Sequence, residues 1–437
     1  MNENKPARRT RPAATRVELD LFLGESAIAL GKLVYVKDGA REFSQFAYSD
    51  SWIRDPQCFD ISTDLERHLG YQVCKPRGKE DSRFFMALAD TEPDSWGRRV
   101  IARAHAKRRK HDASLGALSE LDYLAAVDDF SRIGALRLRH GGGDYLRSAA
   151  AGERSTPPLL ELGAILEASQ RLELSQETAE DLRYLQGKGT SLGGMRPKCT
   201  LLDHDGSLAL GKFPSVQDSR AVTRGEVLAL RLASLAGIEA AAARIERING
   251  TPVAIVRRFD RTRTGGRIPY LSGASWLQAS RHEEHSYTEV VDQMRARCQD
   301  YLADARQLWR RLVFNHLVTN VDDHLQNIGF LYCGRNSWRL SPAFDVNPFP
   351  DKDRESKTWL SEDTGPIVSV EQLLEQAARF ELGAAQAKAV LAEVVGAVLR
   401  WQEVAVSAEV GLKPHELDDF APAFEHLDME EARRLVA

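Results

Sequence analysis

Between residues 187 and 345 five chemistry-bearing segments occur once each: a glycine-rich loop, a strand ending in lysine, a helix carrying glutamate, an aspartate and asparagine five residues apart, and an aspartate in an apolar run. For such segments to cooperate, the chain must fold so that points spread over more than a third of its length meet at one place. The loop is Gly187-Lys-Gly-Thr-Ser-Leu-Gly-Gly-Met-Arg-Pro-Lys198, followed directly by the apolar CTLL. Gly187, Gly189, Gly193 and Gly194 leave a backbone that can approach a phosphate closely. The loop matches neither G-x-x-x-x-G-K-[ST] nor the dinucleotide fingerprint, and taken alone it reads as a turn at least as well.

Ser207-Leu-Ala-Leu-Gly-Lys212 reads as a strand ending in a lysine, and Arg224-Gly-Glu226 opens a helix with a leucine stripe and Gly237 as its stop signal. Each of these charges taken singly is a surface group. Together, a strand lysine and a helix glutamate form the ion pair that positions nucleotide phosphates in kinases. The Asp322-to-Asn327 spacing reproduces D-x-x-x-x-N of a kinase catalytic loop. A carboxylate there can orient an attacking hydroxyl and accept its proton, and an amide oxygen suits Mg2+. Asp345, in Leu340-Ser-Pro-Ala-Phe-Asp345-Val, stands where a kinase's metal-binding aspartate falls, although no glycine follows it. A turn or cap is its plainer reading; the order of all five segments favours the kinase one.

Composition narrows the remaining choices. The chain has 437 residues, enough for two or three domains or lobes. Its formal net charge of -4 does not fit a protein that coats nucleic acid over its whole surface. The five cysteines are scattered without a C-x-x-C pair, so a disulfide framework or structural zinc is not expected and a reducing cytoplasm fits. No apolar run approaches a membrane span, and the N-terminus has no secretion signal.

Residues 1–16 read as a flexible basic tail. Residues 17–140 mix short strands and helices: VELDLFLG, GKLVYVKDG and REFSQFAYS as strands with a turn at Asp38-Gly39, then helices after Pro93-Asp94 and Leu118. The Gly, Ala, Ser and Pro-rich stretch 141–158 reads as a linker. An amphipathic helical segment runs from about Leu159 to Leu185. The core of an ATP-binding lobe is expected over 159–262 and a helical lobe carrying the catalytic loop over 263–437. The basic run Arg98, Arg99, Arg103, Lys107, Arg108, Arg109, Lys110 reads as a solvated helix face, with contact to DNA as the other reading. His282-Glu-Glu-His285 looks metal-like but reads as solvated surface.

The segments Ser191-Leu-Gly-Gly-Met-Arg-Pro-Lys198, Val256-Arg-Arg-Phe-Asp-Arg261, Asn320-Val-Asp-Asp-His-Leu-Gln-Asn327 and Ser341-Pro-Ala-Phe-Asp345 together resemble the signatures of the HipA family; Asp94-Ser95 and Ser131-Arg-Ile-Gly-Ala-Leu resemble its N-terminal part. The resemblance implies an α+β, two-lobed fold like protein and phosphoinositide kinases, with small sheets in a mixed N-terminal part and a mainly helical C-terminal lobe. It casts Asp322 as catalytic base and Asn327 with Asp345 as Mg2+ ligands. Gly193, Gly194, Lys198, Lys212, Glu226, Arg258 and Phe259 become ATP-binding residues, and Ser191 an autophosphorylation site. It further implies a cytoplasmic, toxin-like serine/threonine kinase acting on a translation component such as an aminoacyl-tRNA synthetase. Its partner would be a helix-turn-helix antitoxin of the HipB type, with operator DNA met through that antitoxin and no membrane. A kinase-fold enzyme acting on a small molecule or lipid headgroup is the alternative, with a non-catalytic scaffold of the antitoxin–DNA complex as a third reading.

Overall fold

The structure, a computed structural model, describes residues 14–76, 78, 80–149, 156–187, 195–280 and 283–437. Ser191, Gly193, Gly194, His282 and most of the expected basic tail lie outside the described residues.

The first sheet is antiparallel, in the order β4-β3-β2-β1-β5, built from β1 (Thr15–Leu23), β2 (Ile28–Asp38), β3 (Arg41–Tyr48), β4 (Gln72–Val73) and β5 (Leu136–Arg139). The period-two pattern of β1 turns Leu19, Leu21 and Leu23 inward, and a bulge after Leu21 carries Phe22 inward as well. Leu21, Leu30 and Leu33 are fully buried, each contributing roughly 1.5–3 kcal/mol. Pairing of Asp38 with Arg41 makes Gly39-Ala40 the two-residue hairpin loop, one position beyond the expected turn, with Gly39 at φ 63°. β1 starts at Thr15, inside the stretch read as tail.

The helix Ser95–His111 starts on Asp94, whose carboxylate accepts from Gly97 N at 2.6 Å. Its apolar face (Trp96, Val100, Ala104) leaves the first sheet and joins Leu162, Ile165, Leu166 and Phe213 in a second core. The basic run on this helix divides. Arg98 pairs with Glu92 and Glu120, Arg103 and Lys107 pair with Glu177, and Arg108, Arg109 and Lys110 are exposed. The stretch expected as one helical segment from Leu159 is two helices, Leu162–Glu173 and Ala179–Gly187. Ser175 at φ 58° breaks it, and Thr178 with Asp181 caps the second helix.

A second antiparallel sheet has the order β6-β7-β9-β8, with β6 (Lys198–Leu202), β7 (Leu208–Lys212), β8 (Ala243–Ile248) and β9 (Thr251–Arg257). The helix Val222–Leu235 packs on β8 and β9 and also against Ala384–Val398 and Trp401–Val406. Covered on both sides, it buries Val227, Leu228, Ala229 and Leu230 in succession rather than along one stripe. Gly237 at φ 73° ends it. A third sheet, β10 (Tyr270–Ser272), β11 (Gly329–Gly334) and β12 (Ser337–Leu340), joins the first part through an aromatic stack of Phe59 on Tyr332 at 3.8 Å. After the short pair β13 (Trp359–Ser361) and β14 (Gly365–Pro366), the chain is helical to its end.

The two arginine-bearing signatures clasp each other. Asp260, 2% exposed, accepts from Arg258 (2.6 Å), Arg261 (2.7 Å) and the backbone N of Gly134 (2.8 Å). The same two guanidinium groups donate to the carbonyls of Phe130, Ser131, Arg132 and Gly134. Arg132, fully buried, reaches the other way to the carbonyls of Leu124 and Val127. Burial works against the Asp260 carboxylate, but Arg258 and Arg261 outweigh it and hold its pKa well below the usual range. Burial lowers Arg261 to about 10, with Asp260 opposing.

Candidate active site

A cleft of about 1790 Å³ opens between the second sheet, the catalytic-loop segment and the first part of the chain. Lys212 comes to it from the end of β7, Glu226 from the buried helix behind, and Asp345 from the loop after β12. Lys212 Nζ donates to Glu226 Oε1 at 2.5 Å and to Asp345 Oδ1 at 2.7 Å. Burial works against the ammonium, but Asp345 and Glu226 outweigh it and raise its pKa above the ordinary range. Burial likewise opposes the Asp345 carboxylate, and Lys212 with Lys198 holds it well below its usual value. Glu226 is pushed up by burial, with Lys212 opposing. One ammonium shared by two carboxylates leaves one excess negative charge at the bridge.

Lys198 begins β6 and is 4% exposed, its Nζ 3.4 Å from Asp94 Oδ2. Burial lowers its pKa, and Asp94 and Asp345 oppose. The N-cap of a helix from the N-terminal part therefore supplies the counter-ion of a nucleotide-lobe lysine. Sequence reading marked Asp94 as a helix-start residue and part of the N-terminal signature, not as a site residue.

Asn327 donates its amide nitrogen to the carbonyl of Asp322 at 2.7 Å, which turns its amide oxygen the other way. Asp322 is half-exposed in the cleft and paired with Lys357, and His324 Nε2 lies 3.8 Å from its Oδ1. Its neighbour Asp323 points inward. It is 4% exposed and accepts from Tyr287 OH at 2.6 Å and Lys357 N at 2.7 Å. Asn320 Oδ1 accepts from Asn347 N at 3.2 Å, and Asn347 Nδ2 donates to Asp345 at 3.2 Å, tying the two loops together. Asp345 itself sits at φ 54°, the left-handed region.

Phe259 packs on Phe344 at 5.3 Å and lines the cleft with Leu210 and Val256, an apolar end suited to a flat base. Arg258 borders the same cleft, but its guanidinium is engaged by Asp260, Ser131 O and Thr200 Oγ1, which makes it a clasp residue. Asp323, Tyr287, Lys357 and Asp94 are site residues that sequence reasoning missed. The second acid of the Asp322-Asp323 doublet was the available signal for one of them.

Asp345 and the Asn327 oxygen are hard donors of the kind Mg2+ takes when it keeps waters and substrate phosphates as its other ligands. The excess negative charge beside them fits a divalent cation. Among the described residues no group of three or more His, Cys, Asp or Glu is arranged to hold a metal, so His285 has no metal-site partners there. Nor is any described helix long and apolar enough to cross a membrane.

Fold and cleft together define an α+β, two-lobed, kinase-like protein. Over 96% of its length it superposes on 96% of HipA of Shewanella oneidensis MR-1, solved with HipB and operator DNA, with a TM-score of 0.60 at 15% identity. A protein of Sinorhizobium fredii named "Putative kinase Y4mE" is 25% identical over 323 residues, 69% of this chain and 71% of the relative. A "Putative kinase" of Haemophilus influenzae is 27% identical over 109 residues, 22% of this chain and 32% of the relative. Residues 190–402 match the family model of the HipA-like C-terminal domain.

Proposed function

We propose that this chain is an ATP- and Mg2+-dependent protein serine/threonine kinase of the HipA type. The observation that carries the reading is Lys212 bridging Glu226 and Asp345 in the cleft that also holds Asp322 and Asn327. Asp322 orients the acceptor hydroxyl and takes its proton. Lys212 and Lys198 attract the nucleotide phosphates, and the Phe259 end receives the base. Asp345 and Asn327 would hold Mg2+, which supplies charge neutralisation at the phosphates. The cleft exceeds the roughly 300–1,000 Å³ of ordinary small-molecule sites, which favours a peptide acceptor over a metabolite or lipid headgroup. A relic scaffold would have no reason to keep the Lys212 bridge intact.

Within this reading Ser191 is the autophosphorylation site, where about two added negative charges would repel ATP's own phosphates. The likeness to a HipA solved with HipB and operator DNA supports a HipB-type antitoxin as partner, with DNA met through it. A translation component such as an aminoacyl-tRNA synthetase is the proposed substrate and the cytoplasm the proposed location.

The test is peptide mass spectrometry of the protein incubated with Mg-ATP, beside Asp322→Ala and Asp345→Ala. Phosphate on the wild type and none on Asp322→Ala, which still binds ATP, is the expected result. Asp345→Ala should lose Mg-ATP binding as well. Transfer by Asp322→Ala at the wild-type rate would refute the reading.

A further inference from the structure

The catalytic-loop interval Asp323-His-Leu-Gln326 contains no lysine or arginine, yet a phosphoryl group in flight spreads negative charge over its oxygens and is stabilised by fixed cations. On the nucleotide side, Lys212 is committed to Glu226 and Asp345, and Lys198 to Asp94. Among the described residues, Lys357 alone ion-pairs Asp322 through a lysine or arginine side chain, and it comes from a different segment, just before β13.

Its backbone is anchored around the buried Asp323. Lys357 N donates to Asp323 Oδ1 at 2.7 Å, Thr358 Oγ1 to Asp323 O at 2.9 Å, and Trp359 N to His285 O at 3.0 Å. Tyr287 OH closes the node from below, donating to Asp323 Oδ2 at 2.6 Å. Asp322 and Lys357 thus hang from the same buried carboxylate, one by peptide bond and one by hydrogen bond. The side chains themselves are 38% and 57% exposed. An ion pair that open contributes little to stability, too little to explain a three-point anchor.

We propose that Lys357 is a catalytic residue whose ammonium bridges Asp322 and an oxygen of the transferred phosphoryl group. This rests on the kinase reading above. In the step, the bond from the γ-phosphorus to the β-phosphate oxygen breaks and the bond to the acceptor oxygen forms. The hydroxyl proton passes to Asp322, ADP leaves, and Lys357 keeps its proton throughout. Asp323 is the positioning residue that sets where the ammonium stands.

The test uses the full chain with γ-labelled ATP and Mg2+, following label transfer to the protein and release of inorganic phosphate for wild type, Lys357→Met, Lys357→Arg and Asp322→Ala. Lys357→Met should lower kcat about 100-fold or more, leave the KM for ATP within about threefold, and unfold at the same urea concentration as wild type. Lys357→Arg should recover at least a tenth of the lost rate. A Lys357→Met kcat within threefold of wild type, beside an inactive Asp322→Ala, would overturn the assignment of Lys357 alone. A loss confined to KM, or Arg behaving like Met, would overturn it too. Full activity in Asp322→Ala would remove the kinase reading and this assignment together.

Discussion

Replacing Asp260 by alanine leaves the Arg258 and Arg261 guanidinium groups, 6% and 7% exposed, without their shared counter-ion. The carbonyls of residues 130–134 still accept from them, so hydrogen bonding survives in part while charge compensation does not. Removing one partner of a buried ion pair costs about 3–5 kcal/mol, and two stranded cations place this variant at the upper end. The loss falls on the contact between the loop at Gly134 and the nucleotide lobe, so the affected transition is the one that separates those parts. Followed by tryptophan fluorescence in urea, a slope of about 3 kcal/mol per molar turns that cost into a midpoint lowered by roughly 1.3–1.7 M. Asp260→Asn keeps an acceptor for Gly134 N but not the charge, and should lose most of the same amount. Because the folded carboxyl is held below its unfolded value, its contribution is complete above the ordinary carboxylate range. It fades as pH falls below that range, so wild type and variant should converge in acid. A midpoint shift under about 0.3 M at neutral pH would refute the clasp as an energetic feature.

Three further outcomes follow from other positions. Asp90, buried against Ser272 N and Oγ at 2.7 Å each, has its carboxyl pushed up to about 6 by burial. The folded state therefore binds the extra proton between about pH 4 and 6, and stability falls as pH rises through that window by at most about 3 kcal/mol; Asp90→Asn should flatten that slope in a pH series of urea midpoints. A Cβ on Gly31 would stand 2.1 Å from the Ala47 carbonyl oxygen across β2 and β3, so Gly31→Ala should cost about 3 kcal/mol or more in thermal unfolding, and a neutral result would mean that the strands part freely. Mg-ATP at about 100 times its Kd should stabilise the protein by about 2.7 kcal/mol, and ATP with EDTA by clearly less; equal stabilisation would contradict the excess negative charge at Glu226 and Asp345.

Local pattern made the strands β1 to β3, the helix after Asp94 and the pairing of Lys212 with Glu226 readable in advance, because each depends on period, caps or a fixed motif order. The break at Ser175 was missed although Thr178-Ala-Glu-Asp181 is a capping signal, since the apolar period carries across it. The helix expected from Arg224 starts two residues earlier, at Val222, and keeps its stop at Gly237 but not its stripe, because tertiary cover on both faces cannot be inferred from one segment. Arg258 shows the sharper limit. The family resemblance made it an ATP-binding residue, yet its guanidinium is engaged by Asp260, two residues further along the chain. Lys357 was invisible for the converse reason: nothing around residue 357 announces that a buried aspartate thirty-odd positions earlier will hold it against Asp322.

The clasp and the site are parts of one arrangement. Ser131–Leu136 is held by Arg258 and Arg261 from just beyond β9, while Asp94, from the same N-terminal part, reaches Lys198 at the start of β6. Two ends of the second sheet are thus tied to one neighbour, and Lys198 cannot keep its counter-ion if that neighbour moves away. Asp345 adds a local constraint: a non-glycine residue at φ 54° costs on the order of 1–3 kcal/mol and persists only where surrounding contacts over-determine it. Lys212 and Asn347 are those contacts, and both engage Oδ1. The carboxylate is thereby fixed through Oδ1, and in the proposed kinase reading Oδ2 is the oxygen that would meet the cation.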